Sequence, residues 1–154
     1  MEQLIEKAIQ SKLFTAPVLG DDLERLLDTE GDRIRSLARR AVDEGVQQIY
    51  WVGSGNSWVN LYSGKYLLDR FVTLPSDLYT AFDFIGRNPK RLPKSWAFLA
   101  SFSGGTEDTV AALRHANAHA AHTIALVSQA DSLMGREAAE TIAYNSKALY
   151  ILPL

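Results

Sequence analysis

Trp96-Ala97-Phe98-Leu99-Ala100-Ser101-Phe102-Ser103-Gly104-Gly105-Thr106 runs from an apolar stretch into a turn crowded with hydroxyls and glycine. The segment that follows, Thr106 to Ala121, reads as a helix. A strand handing over to a helix through a tight turn is one half of a βαβ unit. The start of a helix leaves backbone N–H groups without partners and carries the positive end of the helix dipole. Glycine lets a ligand approach the backbone closely, and serine or threonine adds donors without bulk. Together these features point to a bound anion, phosphate before others. One such hydroxyl could simply cap the helix. A cap uses a single hydroxyl, however, and this turn carries Ser101, Ser103 and Thr106 beside Gly104 and Gly105.

Working outward from that turn, short β-type runs alternate with helical patterns from about residue 46 onward. Strands are expected at Gln48–Val52, Asp77–Ala81, Trp96–Ala100, Thr123–Val127 and Thr141–Tyr144. Helices are expected at Asn56–Phe71, near Phe82–Gly86, at Thr106–Ala121 and at Ser132–Ala138. Strands separated by helices connect by right-handed crossovers and make a parallel sheet covered on both faces. The fold class is therefore α/β: a three-layer α/β/α sandwich on a five-stranded parallel sheet, in the flavodoxin-like order 2-1-3-4-5. Residues 1–45 read as an N-terminal helical segment and residues 46–154 as the sandwich domain. In the helical segment, Glu2–Lys12 forms one helix, and Pro17 and Gly20 interrupt the pattern. Asp21–Glu44 forms a second helix, with an apolar stripe from Leu23 to Val42 and a break or bend at Gly31. At the other end, Ala148–Leu154 is apolar. It is expected either to lie against another subunit or, the preferred reading, to lead into further chain.

Composition narrows the function classes. With 154 residues and 47% hydrophobic content, the chain can bury a sizeable core as one domain. A net charge of -2 gives no bulk attraction for nucleic acid or an anionic membrane. The chain has no cysteine, which removes disulfides, thiol catalysis and Cys-based metal sites. The opening Met1-Glu2-Gln3-Leu4-Ile5-Glu6 is acidic and amphipathic, unlike a secretory leader. No apolar run approaches the roughly 18 residues that cross a bilayer. The expectation is a soluble cytoplasmic protein with no membrane or nucleic-acid partner.

A second turn, Val52-Gly53-Ser54-Gly55-Asn56-Ser57-Trp58, closes the first strand. Trp58 stands where a dinucleotide fingerprint has its third glycine, and the P-loop and nucleophile-elbow patterns are both absent. By itself this is a tight connection. In a 2-1-3-4-5 sheet, however, the first and third strands are neighbours, and the topology reverses between them, where ligands bind. Ser54, Asn56 and Ser57 would then face Ser101, Ser103 and Thr106 across one cleft. One turn would hold a phosphate and the other the hydroxyls of the attached group, which points to a phosphorylated sugar bound without lysine or arginine.

At these residues the chain resembles the sugar isomerase (SIS) domain. It is similar to the first of the two such domains in the isomerase part of glucosamine-6-phosphate synthase, and to fructosamine-type sugar-phosphate deglycases. The family's Ser-x-Ser-Gly-x-Thr turn matches Ser101, Ser103, Gly104 and Thr106, with Phe102 and Gly105 at the variable places. Its first-strand turn matches Ser54-Gly55-Asn56-Ser57. Asp77–Phe84 resembles the second strand and the Ser-Glu-Phe that ends it, with Asp83 in place of the glutamate, and Ser132-Leu133 matches a further Ser-Leu. The likeness covers about residues 45–146. It implies that Ser101, Ser103, Gly104, Gly105 and Thr106 bind the phosphate of a sugar or amino sugar. Ser54, Gly55, Asn56, Ser57 and Phe102 would contact the sugar. It further implies a homodimer or higher homo-oligomer and no cofactor or metal. The family's catalytic Glu, Lys and His have no counterpart in this chain, so the catalytic residues stay unknown. Three readings follow: the binding portion of an isomerase, isomerizing aminotransferase or deglycase; a non-catalytic module that senses sugar phosphates; or a catalytically silent structural subunit. The N-terminal 45 residues carry no basic recognition helix, which counts against a regulator.

Other tempting residues have plainer readings. His115, His119 and His122 have helical spacing, but they fall on the expected solvent face with no carboxylate to complete a metal site. The cations Arg87, Lys90, Arg91 and Lys94 read as a surface connector. Asp83 reads as a helix cap, and Trp51 and Trp58 as packing residues.

Overall fold

Period-two alternation divides each strand's side chains between two apolar layers. The structure, a computed structural model, describes residues 16–145. The strands are β1 (Gln48–Gly53), β2 (Ser76–Thr80), β3 (Ser95–Ser101), β4 (His122–Val127) and β5 (Glu140–Ala143). All neighbours pair in parallel, in the order β2-β1-β3-β4-β5. The helices are α1 (Ala16–Asp43), α2 (Asn56–Phe71), α3 (Ala81–Arg87), α4 (Glu107–Ala118) and α5 (Leu133–Glu137).

On one face Tyr50, Val52, Ala97, Leu99, Ala125 and Val127 meet α3, α4 and α5 through Phe84, Val110, Leu113, Ala116 and Met134. Phe84 is fully buried and sets its ring 5.6 Å from Tyr50, edge-on. Burying one such side chain contributes roughly 1.5–3 kcal/mol. On the other face Ile49, Trp96, Ile124 and Ile142 meet Leu37 of α1, with Leu26, Ala41, Trp51, Leu68 and Phe98 packed around them. Trp51 stacks on Phe98 with centroids 4.8 Å apart. These contacts make the expected sandwich.

Three local expectations are corrected. The region from Ala16 to Asp43 is one helix; neither Pro17 and Gly20 nor Gly31 interrupts it. A proline in the first turn costs little, because its missing N–H would have no partner there. A mid-helix glycine costs about 1 kcal/mol against alanine, and tertiary anchors along α1 offset it. Arg25 pairs with Asp22 at 2.8 Å and donates to the Asn145 carbonyl at 2.7 Å, while Arg40 pairs with Glu140 on β5. The second correction is at α4, which ends at Ala118 instead of Ala121. Ala121 N–H donates to Ala116 O and Ala120 N–H to Asn117 O, with Ala120 at φ 59, so a left-handed Schellman cap stops the helix. Third, His122 consequently lies on β4 and not on the helix. Glu2–Lys12 and Ala148–Leu154 lie outside the described residues.

Candidate functional site at the carboxyl ends of β1 and β3

The β3–α4 turn is built from its own hydroxyls. Ser101, buried at the end of β3, places its Oγ 2.8 Å from Thr106 Oγ1 and accepts from Gly104 N–H at 3.1 Å. Ser103 Oγ accepts from Gly105 N–H at 3.2 Å. Thr106 occupies the N-cap position of α4 but makes no side-chain cap, because its hydroxyl is turned to Ser101. The capping alternative is thus not what Thr106 does. The first-turn amides of α4 keep their outward aim without a side-chain acceptor at the N-cap.

Gly104 is the position in this turn where a side chain is least tolerated. It sits at φ 62, and a Cβ there would lie 2.2 Å from Ser132 Oγ and 2.4 Å from Ser132 Cβ. Its carbonyl accepts from Met134 N–H at 2.9 Å, and Phe102 O accepts from Ser128 N–H at 3.1 Å. The turn therefore rests on the β4–α5 connection, which explains what the Ser132-Leu133 pair is for. Ser132 also caps α5 by accepting from Gly135 N–H.

The β1–α2 turn is looser. Gly53 approaches the backbone of Ser57 and Trp58, where a Cβ would stand 3.1–3.2 Å away. Gly55, at φ 55, is the N-cap of α2 and has open space around it. Asn56 is exposed and Ser57 half-buried in the first turn of α2. Gly53 pairs with Ala100 across the β1–β3 ladder, so both turns leave adjacent strands at the same end. Ser54 Oγ donates to Asp108 Oδ2 at 2.6 Å, tying the first turn to the helix that follows the second.

The mouth has polar walls and one aromatic border. Ser103, Gly105 and Thr106 are exposed. Phe102, 41% exposed, leans toward Tyr144 with centroids 6.2 Å apart, which puts its ring on the β4–β5 side, away from the first turn. Asp108 was not among the residues singled out from sequence. Acidic residues commonly occupy the first turn of a helix to complement the dipole, so its position alone carried no signal.

The remaining candidates lie elsewhere. Asp83 is not itself the cap of α3: Thr80 is, its Oγ1 accepting from Asp83 N–H at 3.1 Å and donating to Asp83 Oδ2 at 3.0 Å. The histidines do not share one solvent face. His115 is half-buried against Phe84 and Asn88, and burial followed by the His119 charge pushes its pKa down. His122 contacts Trp96, Arg40 and Glu140. Among the described residues no group of three or more His, Cys, Asp or Glu could hold a metal ion. The cationic loop is pinned by buried Leu92, and Arg87 lies over the Tyr79 ring. An apolar cavity of about 620 Å³ lies between α1, α2 and the sheet, with Ile49, Trp51, Trp96 and Phe98 on its floor, and none of the residues of either turn lines it. Among the described residues no helix is long and apolar enough to cross a membrane.

No family model matches the chain. Individual relatives do. The chain is 37% identical over 102 residues to the fructosamine deglycase of Bacillus subtilis (strain 168), covering 65% of this chain and 31% of that protein. It is 32% identical over 126 residues to the isomerizing glutamine–fructose-6-phosphate aminotransferase of Bradyrhizobium diazoefficiens, covering 81% and 21%. A solved Bacillus subtilis structure described as a phosphosugar isomerase superposes with a TM-score of 0.62 at 37% identity, over 64% of this chain and 30% of that one. The chain thus spans about a fifth to a third of the length of these relatives. The sheet order, the glycine-dependent turn on β3 and these identities agree, and the chain is similar in sequence and fold to these deglycase, isomerizing aminotransferase and phosphosugar isomerase relatives, matching the sugar isomerase (SIS) domain that its turns resemble.

Proposed function

We propose that the mouth between the two turns binds a phosphorylated sugar or amino sugar. Ser101, Ser103, Gly104, Gly105 and Thr106 take the phosphate through hydroxyls, turn amides and the α4 dipole. Ser54, Gly55, Asn56 and Ser57 take the sugar; Phe102, expected from sequence to contact the sugar, turns its ring toward Tyr144 and instead flanks the phosphate turn. The observation that carries this reading is the 2.6 Å bond from Ser54 to Asp108, which holds both turns to one opening. Hydrogen bonds to a charged group contribute roughly 1.5–3 kcal/mol each. After ordering costs, a net of roughly 4–8 kcal/mol, or millimolar to micromolar affinity, is expected.

The activity we assign is that of the binding portion of a phosphosugar isomerase, an isomerizing aminotransferase or a deglycase, as the relatives' names suggest. Moving a proton between C1 and C2 needs a positioned base, and we place that base in a second domain of the same kind. Residues 46–154 would be the first such unit, with residues 1–45 as a helical lead. Self-association is part of the proposal. Val59, Tyr62, Tyr66, Leu67 and Phe71 of α2 are exposed, an apolar stripe suited to a second copy. A cytoplasmic location fits the ligand, because charged sugar phosphates stay in the compartment that makes them. No cofactor is invoked.

Titration calorimetry with fructose 6-phosphate tests the reading. Ser103→Ala and Thr106→Val should each weaken binding by roughly 1–3 kcal/mol; isotherms unchanged in both would remove the phosphate assignment. Activity that vanishes on deleting a downstream domain would support the enzyme, and binding without turnover in the full-length protein would favour the sensing module. Light scattering at tens of micromolar should show a dimer or larger, and a monomer would contradict the proposed association.

A further inference from the structure

Ser54 has one hydroxyl hydrogen, and the structure commits it. The hydrogen goes to Asp108 Oδ2 at 2.6 Å, a short distance of the kind made by a hydroxyl on a carboxylate. Asp108 is itself held: it sits in the first turn of α4, and its Oδ1 accepts from Thr109 Oγ1 at 3.2 Å. With its hydrogen spent, Ser54 Oγ can offer a ligand only lone pairs. The other turn has the opposite polarity. Of the hydroxyl hydrogens on Ser101 and Thr106, the bond between the two uses one and leaves one to donate. The outward amides of the α4 start are donors too.

We infer that Asp108 is a positioning residue that sets the orientation of the ligand by turning Ser54 into an obligate acceptor. This rests on the sugar-phosphate reading of the same mouth. A phosphate oxygen bears only lone pairs and finds no partner at Ser54, while the Asp108 charge repels it. A sugar hydroxyl or amine carries a hydrogen and is accepted there. The anion is thereby sent to the β3–α4 turn and the donor-bearing end to the β1–α2 turn. Asp108 touches neither part of the ligand and acts through Ser54.

The test compares fructose 6-phosphate with inorganic phosphate by titration calorimetry on the same protein. In Asp108→Ala the affinity for fructose 6-phosphate should fall about tenfold, while inorganic phosphate binds as well as before or more tightly. Ser54→Ala removes the same bond from the other side and should lower the sugar-phosphate to phosphate ratio similarly, which keeps the test available if Asp108→Ala does not fold. The double variant should lower the ratio no further than either single one. A general loosening of the site would weaken both ligands together, and that result would overturn the inference. So would an unchanged ratio, or losses that add in the double variant. A wild-type protein that bound neither ligand would instead overturn the sugar-phosphate reading, and this role would fall with it.

Discussion

The two turns that leave β1 and β3 stand on neighbouring strands at the same sheet edge, yet they are built differently. The β3–α4 turn is cross-linked from inside: Ser101 to Thr106, Gly104 N–H to Ser101, Gly105 N–H to Ser103, with the β4–α5 connection bonded behind it. Among the described residues the β1–α2 turn has a single side-chain tie, from Ser54 to Asp108, and there is open space around Gly55. A turn whose hydroxyls satisfy one another is pre-organised and gives little ground on binding. A turn held at one point can adapt to the ligand's variable part. That division suits a phosphate common to many metabolites and a sugar that differs among them.

The largest break in this contrast should come at Gly104. Gly104→Ala adds a Cβ 2.2 Å from Ser132 Oγ at a backbone with φ 62. Overpacking and left-handed strain together cost about 3 kcal/mol, and calorimetric melting should fall by roughly 10 °C with loss of phosphate binding. Ser101→Ala comes next. It removes the bond to Thr106 and one of two acceptors of Gly104 N–H at a buried site, leaving the Ser101 carbonyl, for about 1–2 kcal/mol in denaturant unfolding.

A smaller effect should appear far from either turn, where Arg40, His122 and Glu140 join α1 to the sheet. Burial alone would raise the Glu140 carboxyl, but hydrogen bonds and charges from Arg40 and His122 outweigh it and hold its pKa below the ordinary glutamate value. The ionised form is therefore favoured in the folded state. Its contribution is complete above the unfolded pKa of about 4.3 and is lost as pH falls through the lower folded value. Glu140→Gln should flatten the decline of melting temperature across that acidic window, and Ser101→Ala should not. The smallest change in phosphate affinity is expected at Gly55→Ala, where no atom lies within 4 Å of an added Cβ. Its backbone, at φ 55 and ψ -129, lies in a region open essentially to glycine, so strain should cost about 1–3 kcal/mol, while affinity for inorganic phosphate should hold.

Most of this architecture was readable from residue order. The β-branched and aromatic runs at Gln48–Val52 and Thr123–Val127 and the glycine turns between periodic segments fix five strands and their crossovers. They also bring Ser101–Thr106 and Ser54–Ser57 to one edge. What escaped has tertiary causes. Gly31 should bend a free helix, but α1 is fastened at Arg25 and Arg40 to distant chain. The end of α4 depends on Ala120 adopting a left-handed conformation that alanine avoids in isolation. That cap removes His122 from the helix and places it on β4. Asp108 looked like an ordinary first-turn acid because its partner, Ser54, lies 54 residues away in the chain.

The central claim is that both turns close on one ligand at one mouth, and amide NMR during titration with fructose 6-phosphate tests it most directly. Signals of Gly104, Gly105 and Thr106 should shift together with those of Gly55, Asn56 and Ser57, following one saturation curve. Shifts confined to a single turn, or two turns saturating at different concentrations, would contradict it.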